Sequence, residues 1–195
     1  MTDYVQFTEM KETLELRSET FADDDLKLAI SAASGSIDSI CGRSFNVPDE
    51  DADDTTRLFE ARRERWIEID DCSAITTVES GQTTFRTWAD TDYVAGPLNH
   101  EALNVPITEL KVAGSFCLVP GQTIIKVTGK FGWPEIPSAI KQATILLASR
   151  YMKRAREAPF GVAGIGADGM AVRIGYSDPD VKSLLAPFTR PTRLA

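Results

Sequence analysis

The chain predicts an α+β protein: an α-helical core, an antiparallel β-domain inserted into it, and an extended C-terminal arm. Three observations carry that expectation. Apolar residues recur at steps of three and four over Asp23–Cys41 and again over Pro137–Glu157. Between them, from Arg57 to Trp133, the repeat drops to two and turn residues punctuate it. After Glu157 the pattern dissolves into a glycine-rich run, APFGVAGIGADGMAVRIGYS. The boundaries that follow are residues 1–46 for N-terminal helices and 47–132 for the inserted β-rich domain. Residues 133–157 then form a long core helix packing with the N-terminal helices, and 158–195 the C-terminal arm and a short helix.

Taken in order, Thr8 to Arg17 reads as a first short helix, with Thr8 as N-cap and Met10, Leu14 and Leu16 apolar. The second helix opens on Asp23, Asp24 and Asp25, where the helix dipole favours negative charge. Leu26, Ile30, Ala33, Ile37 and Ile40 give it one apolar face, and Gly42 is the expected stop. The acidic run PDEDADD (48–54) lacks the glycine and closing glutamate of a calcium-binding loop, so a solvated turn is expected.

Strands are expected at residues 57–60, 66–70, 74–78, 83–88, 107–112 and 123–128, with turns at Glu79-Ser80-Gly81, Ala95-Gly96-Pro97, Ala113-Gly114-Ser115 and Val119-Pro120-Gly121. Pro137 suits the first turn of the long helix. Ala139, Ile140, Ala143, Leu146 and Leu147 cover one side of it, and Ile145, Ala148 and Met152 form a second stripe. Gln142, Ser149, Lys153 and Arg156 leave a narrow wet strip. A helix this apolar is buried on two sides, the second side covered either by its own chain or by a neighbouring subunit. In the second case Ile145, Ala148 and Met152 are the ring-interface residues. A last short helix, capped by Asp178, carries Val181, Leu184, Leu185 and Phe188 on one face and ends at Pro187 and Pro191.

Charge is unevenly spread. The net charge is −8, yet residues 150–195 hold eight of the 21 basic side chains and only four of the 29 acidic ones. An acidic body with a basic tail points to contact with another acidic surface or with a second copy. The basic residues form no dense stripe interleaved with aromatics, which argues against a DNA reader. Cys41, Cys72 and Cys117 are far apart and odd in number, as expected of reduced thiols in a cytosolic protein. The N-terminus has neither the basic start nor the apolar run of a signal peptide, and no segment approaches the roughly 18 apolar residues of a membrane span. A soluble protein made in the cytoplasm is expected.

No motif supports catalysis. Gly164-Ile165-Gly166-Ala167-Asp168-Gly169 has the spacing of a dinucleotide fingerprint, but a helix precedes it and the β-like run 170–174 follows, the reverse of what pyrophosphate binding needs. His100 is the only histidine, no GxSxG elbow exists, and one histidine cannot build the usual zinc site. No catalytic, cofactor-binding or metal-binding residue is expected. A small cytosolic enzyme with a pocket near His100 is the least favoured reading.

The arm is a physical object in its own right. Residues 157–175 span up to about 60 Å when extended, against a radius of gyration near 16 Å, roughly, for a domain of this size. Ordering them costs on the order of 20–40 kcal/mol, and offsetting the lower figure needs about 800 Å² of apolar burial. Phe160, Val162, Ile165, Met170, Val172 and Ile174 cannot supply that against solvent. The arm is therefore expected to be mobile in a lone copy and to gain order in an assembly.

Several runs carry a resemblance. Asp24-Asp25-Leu26, Ala29-Ile30-Ser31-Ala32-Ala33-Ser34, Ile37-Asp38 and Cys41-Gly42-Arg43-Ser44-Phe45 form the first. The second is Thr128-Gly129-Lys130-Phe131-Gly132-Trp133-Pro134, Pro137, Ala139-Ile140-Lys141-Gln142-Ala143, Arg150 and Ala158-Pro159-Phe160-Gly161. The third is Asp178-Pro179-Asp180-Val181, Leu184-Leu185 and Pro187-Phe188. Together, over about half the chain, the pattern resembles head–tail connector (adaptor, head-completion) proteins of tailed phages, in the form found in phages of actinobacteria. The resemblance implies an α-helical connector core whose copies, typically twelve, form a ring beneath the portal. The ring would extend the DNA channel and meet a stopper or tail-terminator protein on its tail side. DNA would pass through it without sequence-specific binding. The implied location is the neck of the virion, reached from the host cytoplasm during assembly. Portal or subunit contact would fall on the arm and last helix, at Phe160, Val162, Ile165, Met170, Val172, Ile174, Tyr176, Asp178, Asp180, Val181, Leu184, Leu185 and Phe188. The long strand-rich block departs from the smallest members of that family. Another virion interaction protein (tail-completion, stopper or decoration) is the alternative.

Overall fold

A computed structural model describes residues 3–15, 22–157, 162–165, 171–173 and 179–190. Its helices are α1 (Phe7–Glu15), α2 (Asp23–Cys41), α3 (His100–Leu103), α4 (Ser138–Glu157) and α5 (Pro179–Leu185). Its strands are β1 (Thr55–Glu60), β2 (Trp66–Gly81), β3 (Phe85–Thr87), β4 (Tyr93–Gly96), β5 (Ile107–Val112), β6 (Ile124–Phe131), β7 (Val162–Ile165) and β8 (Ala171–Arg173). The chain forms two compact units: residues 45–135, and residues 1–44 together with 136–195.

In the helical unit, α2 spans the predicted residues and buries Leu26, Ala29, Ile30, Ala33, Ile37 and Cys41. Gly42 ends it at φ 63°, donating its N–H to the Asp38 carbonyl at 2.8 Å. That left-handed turn favours a residue without Cβ. Ile40, expected on the inner face, is 48% exposed. At about 100° per residue it lies off the stripe, and Cys41 takes the inward position. The segment before α1 is tied down as well. Tyr4 donates its N–H to Ser34 Oγ at 3.2 Å and its hydroxyl to the Asp38 carboxylate, while Met10 and Leu14 of α1 are buried.

On α4, Ile140, Ala143 and Leu147 of one stripe and Ile145, Ala148 and Met152 of the other are buried, Ala139 and Leu146 are half-buried, and Ser149, expected on the wet strip, is buried too. The helix packs against α2 and α5. Val181 and Leu185 of α5 turn inward, and the 3-10 turn Ala186–Phe188 follows. Beyond it Arg190 donates its N–H to the Cys41 carbonyl at 2.9 Å. Within the arm, β7 and β8 pair antiparallel as a two-stranded ribbon. Gly164 lies in β7, and the next described element is a strand rather than a nucleotide-binding helix.

The other unit holds a six-stranded antiparallel sheet in the order β1-β6-β2-β5-β4, with β3 also on β2. Two expected strands, 66–70 and 74–78, merge into the single 16-residue β2. Its first half pairs with β5, with a register shift between Glu68 and Cys72, and its second with β6, with shifts between Cys72 and Ala74 and between Ile75 and Thr77. The bulges absorb the polar run Asp70–Ser73 that reads as a break in sequence. Asp71 is buried there, accepting a bond from Trp133 Nε1 at 3.3 Å. Its carbonyl accepts the Gly132 N–H at 2.8 Å. Ile67, Ile69, Val78, Leu110, Val112, Ile125, Val127 and Phe131 share one core. Trp88 closes it, its Nε1 donating to Ser80 Oγ at 2.7 Å and its ring meeting Phe116 edge-on at 5.1 Å. Strand β4 and helix α3 were not expected. Gly96, read as part of a turn, still pairs with Glu109 of β5.

Candidate assembly surface

The outer side of α2 is built from small residues. Ser31, Ala32, Gly35, Ser36 and Ser39 recur about every turn, so the surface between α2, α4 and α5 sinks into a groove of about 880 Å³. Tyr151 reaches across from α4 and donates its hydroxyl to Ser36 Oγ at 3.0 Å. Ser36 and Ser39 return their own hydroxyl protons to the carbonyls one turn back, Ala32 and Gly35, each at 2.9 Å. Large apolar side chains flank the stripe: Leu28, 70% exposed, and Ile40, 48% exposed. Exposed Arg154 and Lys182 add positive charge to the lining. The groove is thus apolar at its ends, neutral along its floor and basic on the α4–α5 side.

The β unit carries a protrusion of opposite character. Between β4 and β5, Leu98 and Leu103 are 65% and 64% exposed. Backbone bonds lock the turn: His100 N–H to Pro97 O at 3.1 Å, Leu103 N–H to Asn99 O at 3.0 Å, and Val105 N–H to His100 O at 3.0 Å. Asn99 and Asn104 take left-handed φ values of 64° and 51°, which asparagine tolerates better than most residues. Asn104 Nδ2 donates to Glu135 Oε2 at 3.2 Å, and Glu101 and Glu135 are both exposed.

Of the residues expected to make contacts, five are buried within the single chain. Ile145, Ala148 and Met152 are 8%, 0% and 7% exposed, so no open ring-facing stripe remains on α4. Its second side is satisfied within the single chain. Val181 and Leu185 are likewise buried, whereas Asp180 is exposed and Leu184 and Phe188 are half-buried. Val162 and Ile165 lie in β7 and Val172 in β8. Phe160, Met170, Ile174, Tyr176 and Asp178, with the expected mobility of their segment, lie outside the described residues. The groove itself was missed in sequence. Its signal was the recurrence of Ser, Ala and Gly on α2 beside an outward Leu28.

Among the described residues no three His, Cys, Asp or Glu side chains cluster to hold a metal, and no helix is long and apolar enough to cross a membrane. The thiols are separated by environment. Burial pushes Cys41 and Cys72 each up to about 11, while Cys117 is exposed. Iodoacetamide at pH 8 is therefore expected to label Cys117 alone in the native protein, and all three after urea. Mass spectrometry of tryptic peptides reads this directly. Because the folded values are raised, the thiols' contribution to stability is complete below pH 9 and is lost as pH climbs from 9 through 11.

A helical unit whose sequence is interrupted by an antiparallel sheet makes this an α+β chain, and the same fold occurs in solved particles. One such chain lies in the neck of an empty gene transfer agent particle determined with C6 symmetry. It is 14% identical with a TM-score of 0.55, over 98% of this chain and 92% of that one. Another belongs to the virion of a native gene transfer agent particle, 16% identical with a TM-score of 0.50 over the same shares. At these identities the likeness is one of fold. No family model and no curated protein matches the chain.

Proposed function

We propose that this chain is a structural, non-enzymatic protein of a phage-like virion, a head-to-tail connector in the particle neck. Its copies, twelve in number, form a ring beneath the portal that extends the DNA channel and joins capsid to tail. The observation that carries the reading is the fold likeness to a chain of a particle neck, which spans 98% of this chain, inserted sheet included. The charge balance supports it: a chain of net charge −8 lining a channel repels phosphate and lets DNA slide. The C-terminal segment meets the portal through Asp180, Leu184 and Phe188, since Val181 and Leu185 are turned inward. A stopper or tail-terminator protein takes the other side.

Particles assembled without this chain are expected to accumulate as DNA-filled heads beside free tails. Supplying the full chain restores joining. Electron micrographs showing joined particles in its absence would overturn the reading.

A further inference from the structure

We propose that the Leu98–Leu103 protrusion of one copy seats in the α2–α4–α5 groove of the next, so that the ring is closed by a head-to-tail contact. The inference rests on the ring reading above and names the two surfaces that build it. Singly exposed leucines are ordinary. Here two of them, each more than 60% exposed, stand within six residues on a turn held by four backbone hydrogen bonds. Such a locked element loses little freedom on docking. The groove offers the matching features, Leu28 and Ile40 for the leucines and small side chains that let another backbone approach closely.

Charge selects the occupant. The chain is acidic overall, yet exposed Arg154 and Lys182 line the groove, and exposed Glu101 and Glu135 flank the protrusion. A second copy of this chain therefore brings both the apolar and the acidic complement. Groove and protrusion belong to different units, the helical one and residues 45–135, so neither surface is self-complementary. A contact between unlike patches propagates, and it closes into a ring when the rotation allows.

The test uses charge reversal at exposed positions, which leaves folding to circular dichroism as a simple check. Wild-type chain, followed by native mass spectrometry from micromolar to near-millimolar concentration, is expected to associate beyond dimers. Glu101→Arg and Arg154→Glu alone each place like charges together and are expected to need at least a tenfold higher concentration. An equimolar mixture of the two variants recovers assembly, with the species alternating, because each arginine protrusion then meets a glutamate groove and the reverse. A wild type that stays monomeric throughout, a single variant that assembles normally, or a mixture that fails to recover overturns the contact. Glu101→Arg particles that join heads to tails as wild type does would also overturn it, while leaving the neck reading standing.

Discussion

Replacing Gly129 with valine is expected to abolish the folding of the β unit while sparing the helices of the other unit. Gly129 sits in the middle of the sheet, paired with Thr55 of β1 on one side and Ile75 of β2 on the other, and it is buried. A Cβ built there would lie 2.2 Å from the Ala74 carbonyl oxygen and 3.0 Å from Ile75 Cα. Both are backbone atoms, so no rotamer change relieves the overlap. The strand would have to move, at the place where β2 already shifts register twice. Ordinary overpacking costs about 1–3 kcal/mol, and a clash against backbone exceeds it. Against the roughly 5–15 kcal/mol that holds a typical domain, that is enough to lose the fold. Alanine meets the same atoms and is expected to fail too. Trp66, Trp88 and Trp133 all lie within residues 45–135, so tryptophan emission reports this unit alone. The expected spectrum is that of the urea-unfolded chain, with part of the helical circular dichroism retained. A native emission maximum with an unchanged urea midpoint would show that the sheet yields at this point.

What could be read from sequence follows from the range of the signal. Helices α2 and α4 were legible because burial on one or two faces imposes a period of 3.6, and β5 and β6 because a half-buried strand alternates. Strand β2 was read as two pieces because Asp70–Ser73 looks like a break. A partner 62 residues away, the Trp133 Nε1–H, helps to hold the buried carboxylate of Asp71 there. Strand β4 was hidden by Gly96-Pro97, whose turn chemistry is real but begins two residues later than expected. The second stripe of α4 poses a different problem. A sequence shows that Ile145, Ala148 and Met152 are apolar, but not whether α2, α5 or another molecule covers them. The candidate site was the least legible part, since a groove is defined by side chains that are missing. Ser31, Ala32 and Gly35 become a floor only once α4 and α5 supply walls more than 100 residues away.

Leu185→Asp is expected to release α5 from the helical unit without unfolding the rest. Leu185 is 1% exposed, and a lone carboxylate held at such a site costs about 3–5 kcal/mol. The chain can escape that cost by undocking α5, and the loss is then capped at the free energy with which α5 docks. A seven-residue helix has no stability of its own in water, so it melts once detached. Cys41 provides the readout. The Arg190 N–H is bonded to its carbonyl, and the Thr189 hydroxyl partly offsets the burial that raises its thiol. Undocking uncovers this end of α2. In the variant at pH 8, iodoacetamide is expected to label Cys41 nearly as fast as Cys117, while Cys72, in the other unit, stays protected. Leu185→Ala, which leaves a cavity but no charge, should give partial labelling and a loss of about 2–5 kcal/mol at most. If α5 and the 3-10 turn after it also present Asp180, Leu184 and Phe188 to the portal, the aspartate variant will fail to join heads to tails while still folding its β unit. Cys41 remaining as inert as in wild type would mean that α5 is not what covers it, and the portal-facing role of the C-terminal segment would lose its structural footing.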